Sequence, residues 1–405
     1  RYDAHDIAKK RAVMENALLV FASATPLTET YHAAQSGKLK LVTLTQRYGG
    51  CPLPSVDFID MRAELTAGNP REVSRRLARE LQENLDNGEQ SILLLNRRGY
   101  RTIGMCTDCG HVLKCPNCSV PLVYHKPQQA LMCHHCGQTV HPLPTLCPEC
   151  GGKIHYRGFG TQRVEEELAE LLPSARILRM DQDSTGKKNA HETMLAQFAR
   201  HEYDILLGTQ MVAKGLDFAN VTLVGVVDGD LSLYADNYRA AERTFSLLTQ
   251  VVGRAGRGEK LGRAVIQTWT PDNDVINLAA RQDYDTFYEE EREMRRMLRF
   301  PPFLDLFRIT LSGPEETQVL RACAVIRRSL EPWVKPRQQG PEGPEVLGPA
   351  PAPVLKVNNR YRYRVLLKCR NGREIRAVLA QILQAAQQDR ANRGLSIAMD
   401  VNPMD

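Results

Sequence analysis

The stretch 204–258 opens with DILLGTQMVAKGLDFANVTLVGVVDGD (204–230) and closes with LLTQVVGRAGRG (247–258). Residues 205–207 and 221–227 are almost continuously apolar, the pattern of strands buried on both faces of a parallel sheet rather than the alternation of a half-exposed strand. Between them lie Thr209, Gln210 and the turn Lys214-Gly215-x-Asp217; after them come Gln250, Gly253, Arg254, Gly256 and Arg257. Two arginines three residues apart are expected on one helix face, with glycines allowing close backbone approach. Paired guanidinium forks suit the oxygens of a polyphosphate.

T-Q-M-x-x-K-G-x-D-F followed about thirty residues later by Q-x-x-G-R-A-G-R resembles motifs V and VI of superfamily 2 helicases, which lie on the second of two RecA-like lobes. The resemblance implies that Thr209 and Lys214 face DNA, that Gly215 and Asp217 contact nucleotide, and that Arg254 and Arg257, with Gln250, act at the γ-phosphate of ATP held with Mg2+. It implies an α/β fold, a RecA-like lobe with helices on both faces of a parallel sheet.

Upstream, 1–15 reads as a basic helix and 17–22 (ALLVFA) as a short buried strand ending in Ser23-Ala24-Thr25, which is similar to helicase motif III. Residues 1–50 are then the tail of lobe 1, and 51–104 with 156–275 make lobe 2. Val73, Leu77, Leu81 and Leu85 at i+4 spacing predict a helix over 70–87, stopped by Gly88. A strand follows at 91–95, and 96–100 (NRRGY) resembles motif IV. No phosphate-binding loop or DExH box is read. Thr185-Gly186-Lys187-Lys188 lacks the glycine five positions before Gly186, and Lys188 stands where Ser or Thr is required. Asp228 and Asp230 read as polar strand ends. The start, RYDAHDIAKKRA, is neither a methionine start nor a signal peptide, so the chain reads as a fragment or processed piece, expected to be inactive without its upstream half.

The α/β pattern breaks at 105–155, where eight cysteines form four C-x-x-C pairs: Cys106/Cys109, Cys115/Cys118, Cys133/Cys136 and Cys147/Cys150. Two such pairs complete a tetrahedral thiolate shell. Four pairs so close together favour two structural zinc ions over redox chemistry. Only five residues separate Cys109 from Cys115, which cramps a site built from the first two pairs. The fourteen residues between the inner pairs suit a two-stranded hairpin turning at 126–129, a zinc ribbon. The expected arrangement is nested: Cys115, Cys118, Cys133 and Cys136 on one zinc, Cys106, Cys109, Cys147 and Cys150 on the other. Neighbouring histidines are then bystanders, and neither shell has a place for a catalytic water.

Thr161 is expected to cap the helix that follows, and 263–268 to close the lobe. Residues 281–299 read as one charged helix broken by Phe300-Pro301-Pro302-Phe303. A small α+β domain over 276–405 should hold strand 307–312, helix 315–331, helix 374–392 and strand 395–401. Between them, 336–353 carries six prolines and is expected to be partly disordered. In 360–370 (RYRYRVLLKCR) the cations Arg360, Arg362, Arg364 and Lys368 alternate with Tyr361, Tyr363, Val365 and Leu367. One face is then buried and the other is either a solvated surface or a DNA-backbone track.

An SF2 second lobe interrupted by eight paired cysteines and followed by F-Y-E-E-E…F-P-P-F is similar to the bacterial replication-restart, primosome-assembling helicases. That resemblance implies an ATP-driven 3′-to-5′ DNA helicase of the cytoplasm, acting on single-stranded and forked DNA with single-stranded-DNA-binding protein and primosome proteins. A non-catalytic zinc-ribbon scaffold and a double-strand DNA translocase stay open beside it. The composition is compatible: 405 residues, 53 Lys and Arg against 47 Asp and Glu for a net charge of +6, and 42% hydrophobic residues. Eleven cysteines without a secretory signal suit metal binding in a reducing compartment. No apolar run approaches the roughly 18 residues that a membrane span needs.

Overall fold

The computed structural model describes residues 4–44, 53–95, 101–106, 111, 113–116, 122–125, 129–133, 138–159, 161–181, 190–209, 218–230, 232–233, 237–256, 260–337 and 343–403. Two compact units are present. One comprises Arg1–Leu41, Arg292–Leu355 and Arg360–Asp405; the other comprises Val42–Glu291 with Lys356–Asn359.

The chain begins with α1 (Ala4–Glu15) and α2 (Thr28–Gln35). Residues 17–22 between them are not the buried strand that their composition suggests. They form no strand, and Leu18 and Val20 are 92% and 72% exposed. An apolar run stays buried as a strand only with neighbours on its edges, and among the described strands none lies beside this one.

The second unit follows as β1 (Ser55–Asp60), α3 (Met61–Thr66), α4 (Arg75–Asp86) and β2 (Gln90–Leu94). A cysteine-rich segment contributes β3 (Arg101–Cys106), β4 (Val123–His125), β5 (Ala130–Met132), β6 (Thr139–Val140) and β7 (Ile154–Phe159). Then come α5 (Thr161–Leu171), β8 (Ile177–Met180), α6 (Ala190–Ala199), β9 (Ile205–Gly208), β10 (Val221–Val226), α7 (Ala240–Val252), β11 (Arg263–Thr268), α8 (Asp274–Arg281) and α9 (Tyr284–Met297).

Six of these strands form a wholly parallel sheet in the order β1-β11-β10-β2-β9-β8. Strand alternation divides the core. Ile92, Leu94, Leu206, Val224, Val226 and Ile266 pack with Phe198 of α6, Phe245 and Leu248 of α7, and Ile276 of α8. Leu93, Leu207, Leu223 and Val265 pack with Leu77 and Leu81 of α4 and Val164 and Leu168 of α5. Burial on both faces explains why the strands read as unbroken apolar runs. Helix α4 starts later than periodicity suggests, because Ser74 caps it by accepting from Leu77 N (3.2 Å), leaving Val73 outside.

Strands β3 to β7 form an antiparallel sheet in the order β6-β5-β4-β3-β7, and β4 and β5 are the hairpin expected of a zinc ribbon. Its small core mixes Cys106, Cys115, Cys133 and Cys147 with Leu113, Leu131 and Ile154. The charged helix expected over 281–299 is α9, which begins at Tyr284: Gln282 turns left-handed (φ 56°) after α8, and Asp283 accepts from Thr286 N at 3.1 Å to start it.

The C-terminal sheet contains β12 (Asp305–Gly313), β13 (Glu345–Val357), β14 (Arg360–Cys369) and β15 (Ser396–Val401), with α10 (Glu316–Val334) and α11 (Arg373–Gln388). Its order is β13-β14-β12-β15. Phe307, Ile309 and Leu311 of β12 and Val365 and Leu367 of β14 face both helices. The proline-rich stretch expected to be disordered is, over 345–353, part of edge strand β13. Successive N–H groups of a strand point to opposite sides, so Pro349, Pro351 and Pro353 at period two all lack a donor on one side. An edge strand needs donors on one side only. Asn358 and Asn359, both with positive φ, turn the chain tightly back into β14.

Candidate nucleotide, nucleic-acid and metal sites

In an open parallel sheet, side chains at the carboxyl ends of strands gather around the point where strand order reverses. Here β9 and β10 flank β2, and the chain crosses over β2 to pass from one to the other. Thr209 stands at the carboxyl end of β9, buried, just after the hydrogen bond from Leu95 N to Gly208 O (2.9 Å). Phe218 leads into β10 at the opposite, amino edge, and its carbonyl accepts from Val221 N (3.2 Å). Lys214, Gly215 and Asp217 lie outside the described residues, between flanks that stand at opposite edges of the sheet.

The amino edge also receives the residues that follow α7. Gln250, on that helix, donates from Nε2 to Ser246 Oγ (3.0 Å). The helix runs to Val252 and is capped by Gly253, so Arg254 lies beyond it rather than on a helix face; Arg257 lies outside the described residues. What places Arg254 is a glycine contact. Gly256 has φ +67°, its N–H donates to Val221 O (3.1 Å), and a Cβ on it would meet Gly262 N at 2.3 Å. The backbone around Gly262, just ahead of β11, thus lies directly against the backbone that carries Arg254.

Buried polar groups fix that edge, and sequence reading missed them. Arg263 donates to Glu80 Oε2 (2.5 Å) and Asn84 Oδ1 (2.7 Å), and Asn84 Nδ2 donates to Thr222 Oγ1 (2.9 Å). Burial pushes the Glu89 carboxyl up, but its bonds with Lys260 and Thr222 outweigh this and hold it below the usual range. The available signal was Glu80 and Asn84 on the apolar stripe of α4. At the other edge Asp230 accepts from Thr268 Oγ1 (2.8 Å) and Trp269 N (2.7 Å), as suits a polar strand end. The Thr161 hydroxyl donates to Asp181 (2.8 Å).

Three thiols of the cysteine-rich segment meet. Cys106, Cys147 and Cys150 have their sulfurs within 4.8 Å of one another, and Cys106 Sγ is 3.5 Å from Cys150 Sγ. Edges of a tetrahedral thiolate shell with Zn–S bonds of about 2.3 Å are about 3.8 Å long, so the donor set fits zinc. One local geometry recurs: Cys106 N donates to His111 O (2.8 Å), Cys133 N to Gln138 O (2.8 Å) and Cys147 N to Gly152 O (2.7 Å), each five residues on. The turn folds amides back over the sulfurs; Glu149 N reaches Cys147 Sγ and Gly152 N reaches Cys150 Sγ, both at 3.4 Å. Amide donors favour the thiolate that a metal requires. Cys115 and Cys133 are buried in the same core; Cys109, Cys118 and Cys136 lie outside the described residues. Cys323 and Cys369 are different: burial pushes both thiols up to about 12, with Asp305 adding to the effect at Cys369.

The cation row on β14 is only partly a surface. Arg360 donates to Ser312 O and Gly394 O, both at 2.7 Å. Lys368 is 7% exposed, sits 4.2 Å above the Phe300 ring and donates to Leu298 O (2.7 Å). Both therefore hold the domain together, because backbone carbonyls lie within reach of their long side chains. Arg362 and Arg364 are half-buried, across from Ser312 and Thr310.

Three families match the chain: the PriA DNA helicase Cys-rich region domain at 115–140, the helicase conserved C-terminal domain at 145–259 and the primosomal protein N C-terminal domain at 296–404. The replication restart protein PriA of Bacillus subtilis is 43% identical over 404 residues, covering 100% of this chain and 49% of the relative. That of Synechocystis is 42% identical, covering 91% and 44%, and that of Chlamydia pneumoniae is 36% identical, covering 100% and 53%. The chain spans about half the length of the curated relatives it matches. No described helix is long and apolar enough to cross a membrane. With a parallel helicase-type sheet, a cysteine-rich ribbon and an α+β C-terminal domain each matched in order, the chain belongs to the PriA replication-restart family.

Proposed function

We propose that this chain is the second-lobe half of an ATP-driven, 3′-to-5′ DNA helicase that binds abandoned forks and starts primosome assembly. The observation that carries the reading is the two-edged sheet. Thr209 stands at one edge, Arg254 follows the opposite edge, and the segment bearing Lys214, Gly215 and Asp217 joins the two. A single short segment can then feel DNA at one end and nucleotide at the other. In this reading Thr209 and Lys214 meet the DNA backbone, and Gly215 and Asp217 meet the nucleotide. Gln250, Arg254 and Arg257 act at the γ-phosphate of MgATP, where an arginine stabilises charge as it builds on the transferring group.

Domain roles follow: 1–50 completes the first lobe, 51–104 with 156–275 makes the second, 105–155 binds two structural zincs and 276–405 contacts DNA. Cys106, Cys109, Cys147 and Cys150 would hold one zinc and Cys115, Cys118, Cys133 and Cys136 the other; a zinc ion there cross-links the ribbon and performs no chemistry. On β14 the DNA contacts reduce to Arg362 and Arg364. Partners would be single-stranded and forked DNA, single-stranded-DNA-binding protein and primosome proteins, in the cytoplasm.

The test is ATP hydrolysis by the full-length protein with single-stranded, forked or blunt duplex DNA, and unwinding of duplexes with a 3′ or a 5′ tail. Stimulation by single strands and forks, with unwinding from the 3′-tailed strand, is expected. Equal stimulation by blunt duplex without unwinding would make it a translocase, and no hydrolysis at all would make it a scaffold.

A further inference from the structure

After α7 the chain returns to the sheet at β11, and its backbone is anchored on the way. Gly256 N is held on Val221 O at the start of β10, and Gly262 O is held by Ser55 N at the start of β1, both at 3.1 Å. Ala255 and Gly256, the two residues after Arg254, lie against Gly262: a Cβ added there would meet Ala255 O at 2.6 Å. Side chains on either side of Gly262 are tied in turn. Lys260 Nζ donates to Glu89 Oε1 (2.6 Å), while Arg263 reaches Glu80 and Asn84 on α4.

Glu89 joins these parts. It follows the Gly88 turn at the end of α4 and stands just before β2. Its second oxygen accepts from the Thr222 hydroxyl on β10. One carboxylate thus sets the spacing between β10 and the segment that leads into β11. The backbone that carries Arg254 runs between the two, with Val221 O on one side and Gly262 on the other.

Stability alone is a poor account of this arrangement. The Lys260 side chain is 59% exposed, against 12% for Glu89, and an ion pair half in water adds little to folding. Burial pushes the Glu89 carboxyl up, yet the bonds from Lys260 and Thr222 and the nearby Arg263 charge hold it below the usual range. The carboxylate is therefore charged and doubly held at neutral pH, which fixes direction as well as distance.

We propose that Glu89, through Lys260 and Thr222, is a positioning residue for ATP hydrolysis, setting where the backbone that carries Arg254 lies and touching neither nucleotide nor DNA. The inference rests on the reading of Arg254 as a γ-phosphate residue and adds the group that places it. A misplacement of about 1 Å at a reacting centre costs on the order of 10²-fold. Losing one tether of several should cost less.

The experiment uses full-length protein carrying Glu89→Ala, Lys260→Met, both together, or Lys260→Arg. Asp204→Asn is the control, since it breaks an ion pair at the same edge of the sheet, Arg176 Nη2 to Asp204 Oδ1 (2.6 Å), ahead of β8 and β9. The kcat of DNA-stimulated ATP hydrolysis should fall about tenfold in Glu89→Ala and about threefold in Lys260→Met. The double variant should be no slower than Glu89→Ala, and Lys260→Arg should restore the rate. KM for ATP and single-strand affinity should stay within about twofold, because a contact that matters only in the transition state lowers kcat and kcat/KM together. Hydrogen exchange at the Gly256 amide should accelerate, while that of Leu95, bonded to Gly208 O (2.9 Å) at the other edge, stays slow.

Unchanged kcat in Glu89→Ala, additive losses in the double variant, or an equal loss in Asp204→Asn overturns the proposal. So does a lowered kcat with unchanged exchange at Gly256. Lys260→Met against Lys260→Arg decides if Glu89→Ala does not fold. A wild type without DNA-dependent hydrolysis, or Arg254→Ala with normal turnover, defeats the helicase reading and the proposal together, and is recognised without any Glu89 variant.

Discussion

Replacing Gly256 with Ala should damage the RecA-like unit more than a glycine substitution usually does, and two companion variants separate the reasons. Gly256 combines φ +67° with a Cβ position 2.3 Å from Gly262 N and 2.6 Å from Gly262 Cα. Gly88 has nearly the same backbone angle, φ +65°, but open space where the Cβ would go. Gly262 has no positive φ, yet its Cβ would meet Ala255 C at 2.4 Å and Gly256 N at 2.5 Å. Gly88→Ala therefore carries the left-handed cost alone, about 1–2 kcal/mol. Gly262→Ala carries overpacking alone, about 1–3 kcal/mol, and Gly256→Ala carries both, about 2–5 kcal/mol. A stiffer unfolded chain offsets each by a common 0.4–1 kcal/mol or so. Urea unfolding is followed best by fluorescence, since Trp269 follows β11 and Trp333 lies in the other unit. With Trp333→Phe as background, Trp269 reports on the RecA-like unit. If Gly256→Ala is no less stable than Gly88→Ala, the two-glycine contact does not exist.

Purified protein should carry two zinc ions per chain; stripping them, or changing Cys147 to Ser, should unfold the ribbon while hydrogen exchange in β2, β9 and β10 stays slow, because metal-binding energy there is folding energy. A zinc count nearer one defeats the two-shell reading. Arg254→Ala in the full-length protein should lower ATP turnover by a factor on the order of 10³ or more with little loss of DNA affinity, and the opposite result would assign it to DNA. Arg362→Ala with Arg364→Ala should reduce the log–log salt slope of DNA binding by roughly 2. Arg360→Ala or Lys368→Ala should instead lower stability by about 1–3 kcal/mol, as backbone carbonyls lose charged donors. Equal salt slopes across all three variants would return the β14 row to being an ordinary surface.

What the sequence revealed depended on whether one local property decided the structure. The parallel strands were legible because burial on both faces demands apolar residues at every position, as at 205–207 and 221–227. Four C-x-x-C pairs were legible because a thiolate shell tolerates little variation in spacing, and Cys106, Cys147 and Cys150 do meet. Residues 17–22 misled for the converse reason. Their composition specifies a buried strand only if another strand lies beside it, and composition says nothing of neighbours. Composition likewise read 336–353 as partly disordered, whereas Pro349, Pro351 and Pro353 stand in an edge strand, which dispenses with every second donor.

The cations of β14 show the limit most sharply. Alternation assigned Arg360, Arg362, Arg364 and Lys368 to one face, and they stand there. It could not foresee that the strap 298–303, some seventy residues away, lies across one end of that face and turns Lys368 from a solvated charge into a cap for Leu298 O. The same strap presents Pro301 O and Phe303 to Arg295 and His32. One proline-interrupted segment thus removes Lys368 from a surface role and binds α2 to the C-terminal domain. A charge on a strand acquires its role from whatever covers the strand, and that depends on contacts between residues far apart in the chain.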